Sequence, residues 1–115
     1  ESPVEVEGGV RLRSPHTICI PFVFGNVDAA AAMVGTAPEC RALSERMMDA
    51  WVAFARTGNP NHKGIPEWKP FDCTERNMLV FDNQCRADRD RGREDRVALE
   101  AYPRFTPEKG AKRQR

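Results

Sequence analysis

The sequence predicts an α/β fold of which this chain holds only the closing portion. A helical pattern over about residues 37–57 carries one wide apolar stripe. A continuous apolar run, Met78-Leu79-Val80-Phe81, reads as one short late strand. Nearly everything else reads as loop, apart from one terminal helix. One strand cannot make a sheet, and a wide apolar helix face needs a partner layer. The elements are therefore expected to be incomplete as a domain.

From the start, Ser2 to Leu12 reads as a short extended piece with a Gly8-Gly9 turn inside it. The run Ile18 to Phe24 is apolar and β-prone but contains Pro21, which argues against a central strand. It is expected to be a buried loop or an edge piece ending at Gly25-Asn26. In the long helix, Thr36 and Glu39 fit a capping box, and Pro38 is tolerated in the first turn. Leu43, Met47, Trp51, Phe54 and Ala55 recur three or four apart and form the stripe. Gly58 supplies a left-handed stop, and Pro60 prevents continuation. Residues 59–70 are loop, punctuated by Pro60, Gly64, Pro66 and Pro70. The late strand is apolar throughout, so both its faces are expected to be covered. Arg86 to Arg96 alternates Arg with Asp and Glu and reads as a solvated loop. It leads into a helix over Arg93 to Tyr102, which Pro103 ends.

Composition excludes several classes. The chain has 115 residues, 40% hydrophobic and 30% charged, with a formal net charge of +1. Neither disorder nor a general nucleic-acid preference follows. Residues 104–115 are basic, with Arg104, Lys109, Lys112, Arg113 and Arg115 against Glu108. Such an end could touch nucleic acid or an acidic surface; a solvated, frayed tail is the simpler expectation, and no nucleic-acid partner is expected. Residues 1–102 are assigned to the α/β segment and 103–115 to the tail. No apolar run is long enough to span a bilayer, and no membrane partner is expected. The start, Glu1-Ser2-Pro3, has neither a signal-peptide pattern nor an initiator Met, and is read as cut. Cys19, Cys40, Cys73 and Cys85 are widely and irregularly spaced. A zinc site is not expected. Free, mostly buried thiols in a reducing compartment are, with the cytoplasm favoured.

One segment carries chemistry. Ser14-Pro15-His16-Thr17-Ile18-Cys19-Ile20-Pro21-Phe22-Val23-Phe24-Gly25-Asn26 resembles the histidine segment of type-B carboxylesterases, the cholinesterase-like and para-nitrobenzyl-esterase-like family. In that pattern a catalytic histidine precedes an apolar run ending in Phe-Val-Phe-Gly, so His16 takes the histidine position. The likeness continues through Met47 to Asn61, which looks like the family's late helix and its Gly-x-Pro-Asn exit. Pro66-Glu67-Trp68-Lys69-Pro70-Phe71-Asp72 looks like the tryptophan loop, and Met78 to Asp82 like the last strand. Coverage runs from about Ser2 to Tyr102.

The resemblance implies the C-terminal portion of an α/β-hydrolase fold and the hydrolysis of carboxylic esters through an acyl-enzyme. His16 would serve as base and then acid for an upstream serine, oriented by an upstream Glu or Asp. No cofactor and no metal are implied. The partners implied are a small-molecule ester and the remainder of the hydrolase domain. The nucleophile elbow and the glycine-rich oxyanion loop would also lie upstream. One departure stands out: the position three after the histidine is commonly glutamate and here is Cys19, which cannot replace a carboxylate.

Other readings of the same residues are weaker. Ser2, Ser14 and Ser44 lack a glycine-flanked elbow, and Ser44 is expected on the exposed flank of the helix. Cys19 or Cys40 could act as a nucleophile with His16, but buried packing explains both. His62 lies in a polar loop and is expected to be exposed. Trp51 and Phe54 belong to core packing that is exposed when the chain stands by itself. By itself the chain is expected to be inactive. The alternative is a non-catalytic interaction module that docks through its apolar helix face and basic tail.

Overall fold

The computed structural model describes residues 2–102, so the basic stretch from 103 onward lies outside the described residues. The chain opens with a hairpin, β1 (Ser2–Val6) and β2 (Val10–Arg13), paired antiparallel with Glu5 opposite Arg11. Its turn closes through the Gly9 N–H donating to the Val6 carbonyl at 3.0 Å. Two short helices follow, α1 (Cys19–Val23) and α2 (Ala31–Val34). The long helix α3 spans Pro38–Thr57. A second antiparallel hairpin, β3 (Asn77–Val80) with β4 (Arg86–Arg89), pairs Asn77 with Arg89 and Val80 with Arg86. Helix α4 covers Arg93–Glu100.

Four of these features depart from the sequence expectations. The run containing Pro21 is a helix, not a loop or an edge strand. Pro21 falls in the first turn of α1, where a missing N–H costs nothing because those donors have no intrahelical partner. The capping box does not form. Pro38 takes the first helical position, so extended Ala37 becomes the N-cap and Thr36 sits one residue too early. Arg86–Arg89 is a strand rather than a solvated loop; it satisfies the β3 backbone, while Arg89 pairs with Glu75 on the outside. The described residues thus hold two two-stranded sheets instead of a lone strand. In β3 every residue is only half-buried, so its faces are not both covered.

The stop of α3 agrees with the sequence. Gly58 adopts φ 74° and its N–H donates to the Phe54 carbonyl at 2.8 Å. Beyond it, Asn61 clamps the loop by a reciprocal amide pair. Its Nδ2 donates to the Trp68 carbonyl at 2.8 Å, and the Trp68 N–H donates to its Oδ1 at 2.6 Å. Trp68 then meets the Phe81 ring edge-on at 6.0 Å, and Trp51 meets the same ring at a tilt, 6.2 Å away. This aromatic trio ties α3, the loop and the end of β3 together, a geometry favoured by the ring quadrupoles.

His62 is not exposed as expected. Its side chain is 15% exposed and lies against α3. The Gly64 N–H donates to Nδ1 at 3.1 Å, so Nε2 carries the proton and donates to the Arg46 carbonyl at 3.1 Å. The imidazole is a structural clasp between loop and helix.

The core is thin. Among the described residues the buried hydrophobic side chains are Val27, Val34, Met47 and Ala50, and none of the large ones is fully enclosed. Trp51 and Phe54 are 48% and 58% exposed. Buried Ser2 donates to the Met33 carbonyl at 2.6 Å and holds the first hairpin to α2.

At the start of α4, Asp90 accepts from Arg96 at 2.7 and 2.9 Å, with Arg76 and Arg93 close by. The Arg96 hydrogen bonds hold the Asp90 carboxyl below its ordinary value of 3.8, and the same bonds raise Arg96. A depressed carboxyl contributes stability above its unfolded value and loses it as pH falls through the folded value. Protection of the α4 amides, relative to the unfolded chain, is therefore expected to hold down to about pH 4 and to fall below it. In Arg96→Ala protection of α4 should already be lower at neutral pH, and the further loss in acid smaller, because Asp90 is less depressed without that partner. An unchanged acid profile in that variant would show that the cluster does not hold α4.

Candidate functional site

His16 sits on a turn between β2 and α1 and is exposed. The turn is closed by the Ile18 N–H donating to the Pro15 carbonyl at 3.3 Å and the Ile20 N–H donating to the Thr17 carbonyl at 2.9 Å. Thr17 adopts φ 73°. That left-handed conformation is unfavourable for a β-branched residue, and such strain persists only where its surroundings impose it. The turn thus presents the imidazole outward and passes without slack into α1.

Helix α1 is anchored by α3. The Ser44 hydroxyl donates to the Phe22 carbonyl at 2.7 Å, and Ser44 is 2% exposed. This corrects the expectation that Ser44 lies on an exposed flank; it is on the inner face of α3, one turn before Met47. At the exit of α1, Gly25 has φ 67°, and a Cβ there would come within 2.8 Å of the Met48 sulfur. Only glycine fits this approach without a shift.

Of the residues singled out in the sequence, the structure gathers few. No hydroxyl or carboxylate reaches the His16 ring among the described residues, so His16 has neither nucleophile nor orienting acid here. Ser2 and Ser44 are buried and bonded to carbonyls elsewhere. The thiols are free, but buried packing does not hold: Cys19 and Cys73 are exposed, and Cys40 and Cys85 are half-buried. Cys40 Sγ donates to the Val34 carbonyl at 3.3 Å, an ordinary local contact. Cys19 and Cys40 both border an open groove of about 690 Å³, along with Phe22, Met47, Trp51 and Phe81. The groove has an apolar floor with Asp82, Asn83, Arg86 and Arg91 at its polar side, and Ser14 and Ile18, which flank the His16 turn, border it. Among the described residues there is no cluster of groups able to hold a metal ion. None of the helices among them is long and apolar enough to cross a membrane.

Comparison with known proteins decides the family. The family model described as "Carboxylesterase family" matches residues 6–99. The chain belongs to the carboxylesterase family. Para-nitrobenzyl esterase of Bacillus subtilis is 33% identical over 86 residues, 73% of this chain and 17% of that protein. Acylcarnitine hydrolase of Rattus norvegicus is 40% identical over 78 residues, 68% of this chain and 14% of that protein. Among solved structures, a PNB esterase superposes with a TM-score of 0.68 at 31% identity, over 76% of this chain and 18% of its own. The Geobacillus stearothermophilus carboxylesterase EST55 at pH 6.2 gives 0.67 at 34% identity, over 85% and 20%. These neighbours are α/β-hydrolases, so the resemblance seen in the sequence holds at the level of family and fold. The chain spans less than a fifth of the length of the two curated relatives, at 17% and 14%.

Sequence reasoning missed Ser44 and His62 as structural groups. The signal for Ser44 was its spacing from Met47 and Ala50 on one helix face; that for His62 was the Gly64 beside it.

Glycine at position 17 would relieve the left-handed strain, worth about 1–2 kcal/mol, and lose part of that to the larger entropy of the unfolded chain. Thr17→Gly is expected to raise stability by about 0.5–1 kcal/mol in urea unfolding. A loss of stability would show that the threonine side chain, not the turn, is what matters there.

Proposed function

We propose that this chain is the C-terminal segment of a serine carboxylesterase and that His16 is its catalytic imidazole. The single observation behind the reading is a histidine on a strained, closed turn, exposed at one end of an anchored helix, in a chain of the carboxylesterase family. An exposed imidazole in such a place can take a proton from a serine hydroxyl and return it to the leaving alcohol. The serine, the acid that orients the ring and the oxyanion donors would come from the rest of the hydrolase domain. That remainder would also cover the groove bordered by Ile18 and Cys19 and the Trp51–Phe54 face of α3. The substrate class is a small carboxylic ester; no cofactor enters the reaction.

Cys19 departs from the glutamate that the family pattern carries. It begins α1 and is exposed, so it offers neither a charge nor a strong acceptor to the site. The proposed base therefore works with different support at this position.

A second reading has its own support. The described face of Trp51, Val52 and Phe54 is half-exposed and apolar, as a docking surface would be. On that reading the chain binds a partner and does no chemistry.

The test is ester hydrolysis by the product of the complete reading frame that contains these residues. Turnover of p-nitrophenyl butyrate is expected, with His16→Ala lowering kcat/KM by at least about 10³-fold. Full activity in His16→Ala would end the catalytic reading. The 115-residue chain alone is expected to show no turnover that depends on His16 and to bind a hydrophobic dye through its open face. Turnover by that chain, lost on His16→Ala, would refute the need for a larger domain.

A further inference from the structure

The placement of His16 depends on a group far from it in sequence. Helix α1 follows the His16 turn directly, and successive hydrogen bonds from Pro15 to Asn26 make turn and helix one rigid piece. The Asn26 N–H donates to the Pro21 carbonyl at 2.8 Å, so even the exit of α1 is closed on itself. Such a piece keeps its shape but can still slide or rotate against α3. Helix α1 packs along α3, and within that packing two specific contacts oppose the motion. The Gly25–Met48 approach is a steric limit, and Met is a soft, adaptable neighbour. The bond from Ser44 to the Phe22 carbonyl is short and directional, and its donor is buried.

We infer that Ser44 is a positioning residue for His16: its buried hydroxyl, bonded to the Phe22 carbonyl, fixes where the His16 turn stands relative to α3. This rests on the proposed role of His16 and extends it. The hydroxyl touches neither the imidazole nor a substrate. It acts through α1, which carries the turn as a lever carries its end. Ser44 has no second candidate role. It is buried, its proton is committed to a carbonyl, and no base is bonded to it among the described residues, so it is not a nucleophile. A purely space-filling role does not need the hydroxyl, since alanine would pack in nearly the same volume.

The loss of Ser44 should therefore reach the chemical step. A displacement of about 1 Å at a reacting group can cost up to about 100-fold in rate. Substrate binding by walls elsewhere is untouched, so KM should stay within about 2-fold while kcat falls about 10-fold or more.

The experiment uses the full-length enzyme with p-nitrophenyl butyrate. It compares Ser44→Ala, Ser44→Thr and, as a control on the solvent side of the same helix, Thr57→Ala. The expected result is a fall in kcat for Ser44→Ala at nearly constant KM, largely restored in Ser44→Thr, with Thr57→Ala at the level of the parent. A crystal structure of Ser44→Ala should show the His16 turn displaced relative to α3. If Ser44→Ala lowers thermal stability yet keeps the parent's kcat in the folded fraction, the inference is overturned. It is also overturned if Ser44→Thr loses as much kcat as Ser44→Ala, because packing and not the hydroxyl would then be responsible. The two failures are distinguishable: should His16→Ala prove fully active, the catalytic reading falls, while the position of the turn in the Ser44→Ala crystal structure still decides whether this hydroxyl holds it.

Discussion

The inner face of α3 is the constraint on which the rest of the molecule depends. Ser44, Met47 and Ala50 are its buried residues, spaced so that they form one row. Helix α1 and the His62 loop both hang on α3 through single polar contacts to carbonyls: Ser44 to Phe22, and His62 to Arg46. The aromatic trio adds the second hairpin through Trp51, Phe81 and Trp68. These contacts matter more than usual because the apolar core around them is so small. Where little hydrophobic area is removed from water, each buried hydrogen bond carries a larger share of specificity.

The same thin core explains why membership of a large enzyme family is consistent with so open a structure. Exposed Trp51, Phe54 and Phe24, together with the apolar groove beside α1, are surfaces that a larger α/β sandwich would enclose. On the proposed reading they are the seam between this segment and the rest of a hydrolase. The His16 turn lies at one border of that seam. On that reading a catalytic group supplied from one edge of a domain to a nucleophile on another part needs a rigid mount, and α1 on α3 would be that mount.

Much of the fold was legible in the sequence where a local rule acted without rivals. The 3.6-residue stripe and Gly58 at the end define the period and stop of α3, while Pro38, and not the expected capping box, sets its start. The Gly8-Gly9 turn marked the first hairpin. Legibility failed where one residue type serves two structures. Pro21 forbids a central strand but suits a first helical turn, and only the packing of α1 on α3 chose between them. The Arg-Asp alternation of Arg86–Arg89 looks solvated, and it is solvated on its outer side; pairing with β3 is a non-local fact that composition does not record. His62 in a polar loop looked exposed: Gly64 beside it hints at a tight approach, but not that the approach brings the loop onto the helix.

The sequence by itself pointed to the family and to the long helix, and it singled out His16 as the residue with a chemical case. Those follow from motif order and from periodicity, both of which are properties of neighbours along the chain. Tertiary structure alone decided that Ser44 points inward to a carbonyl of α1, that Cys19 faces solvent, and that His62 clasps α3. The physical reason is that a hydrogen bond between segments distant in sequence is set by how the segments pack. Packing is a cooperative property of the whole molecule, which no short stretch of residues encodes.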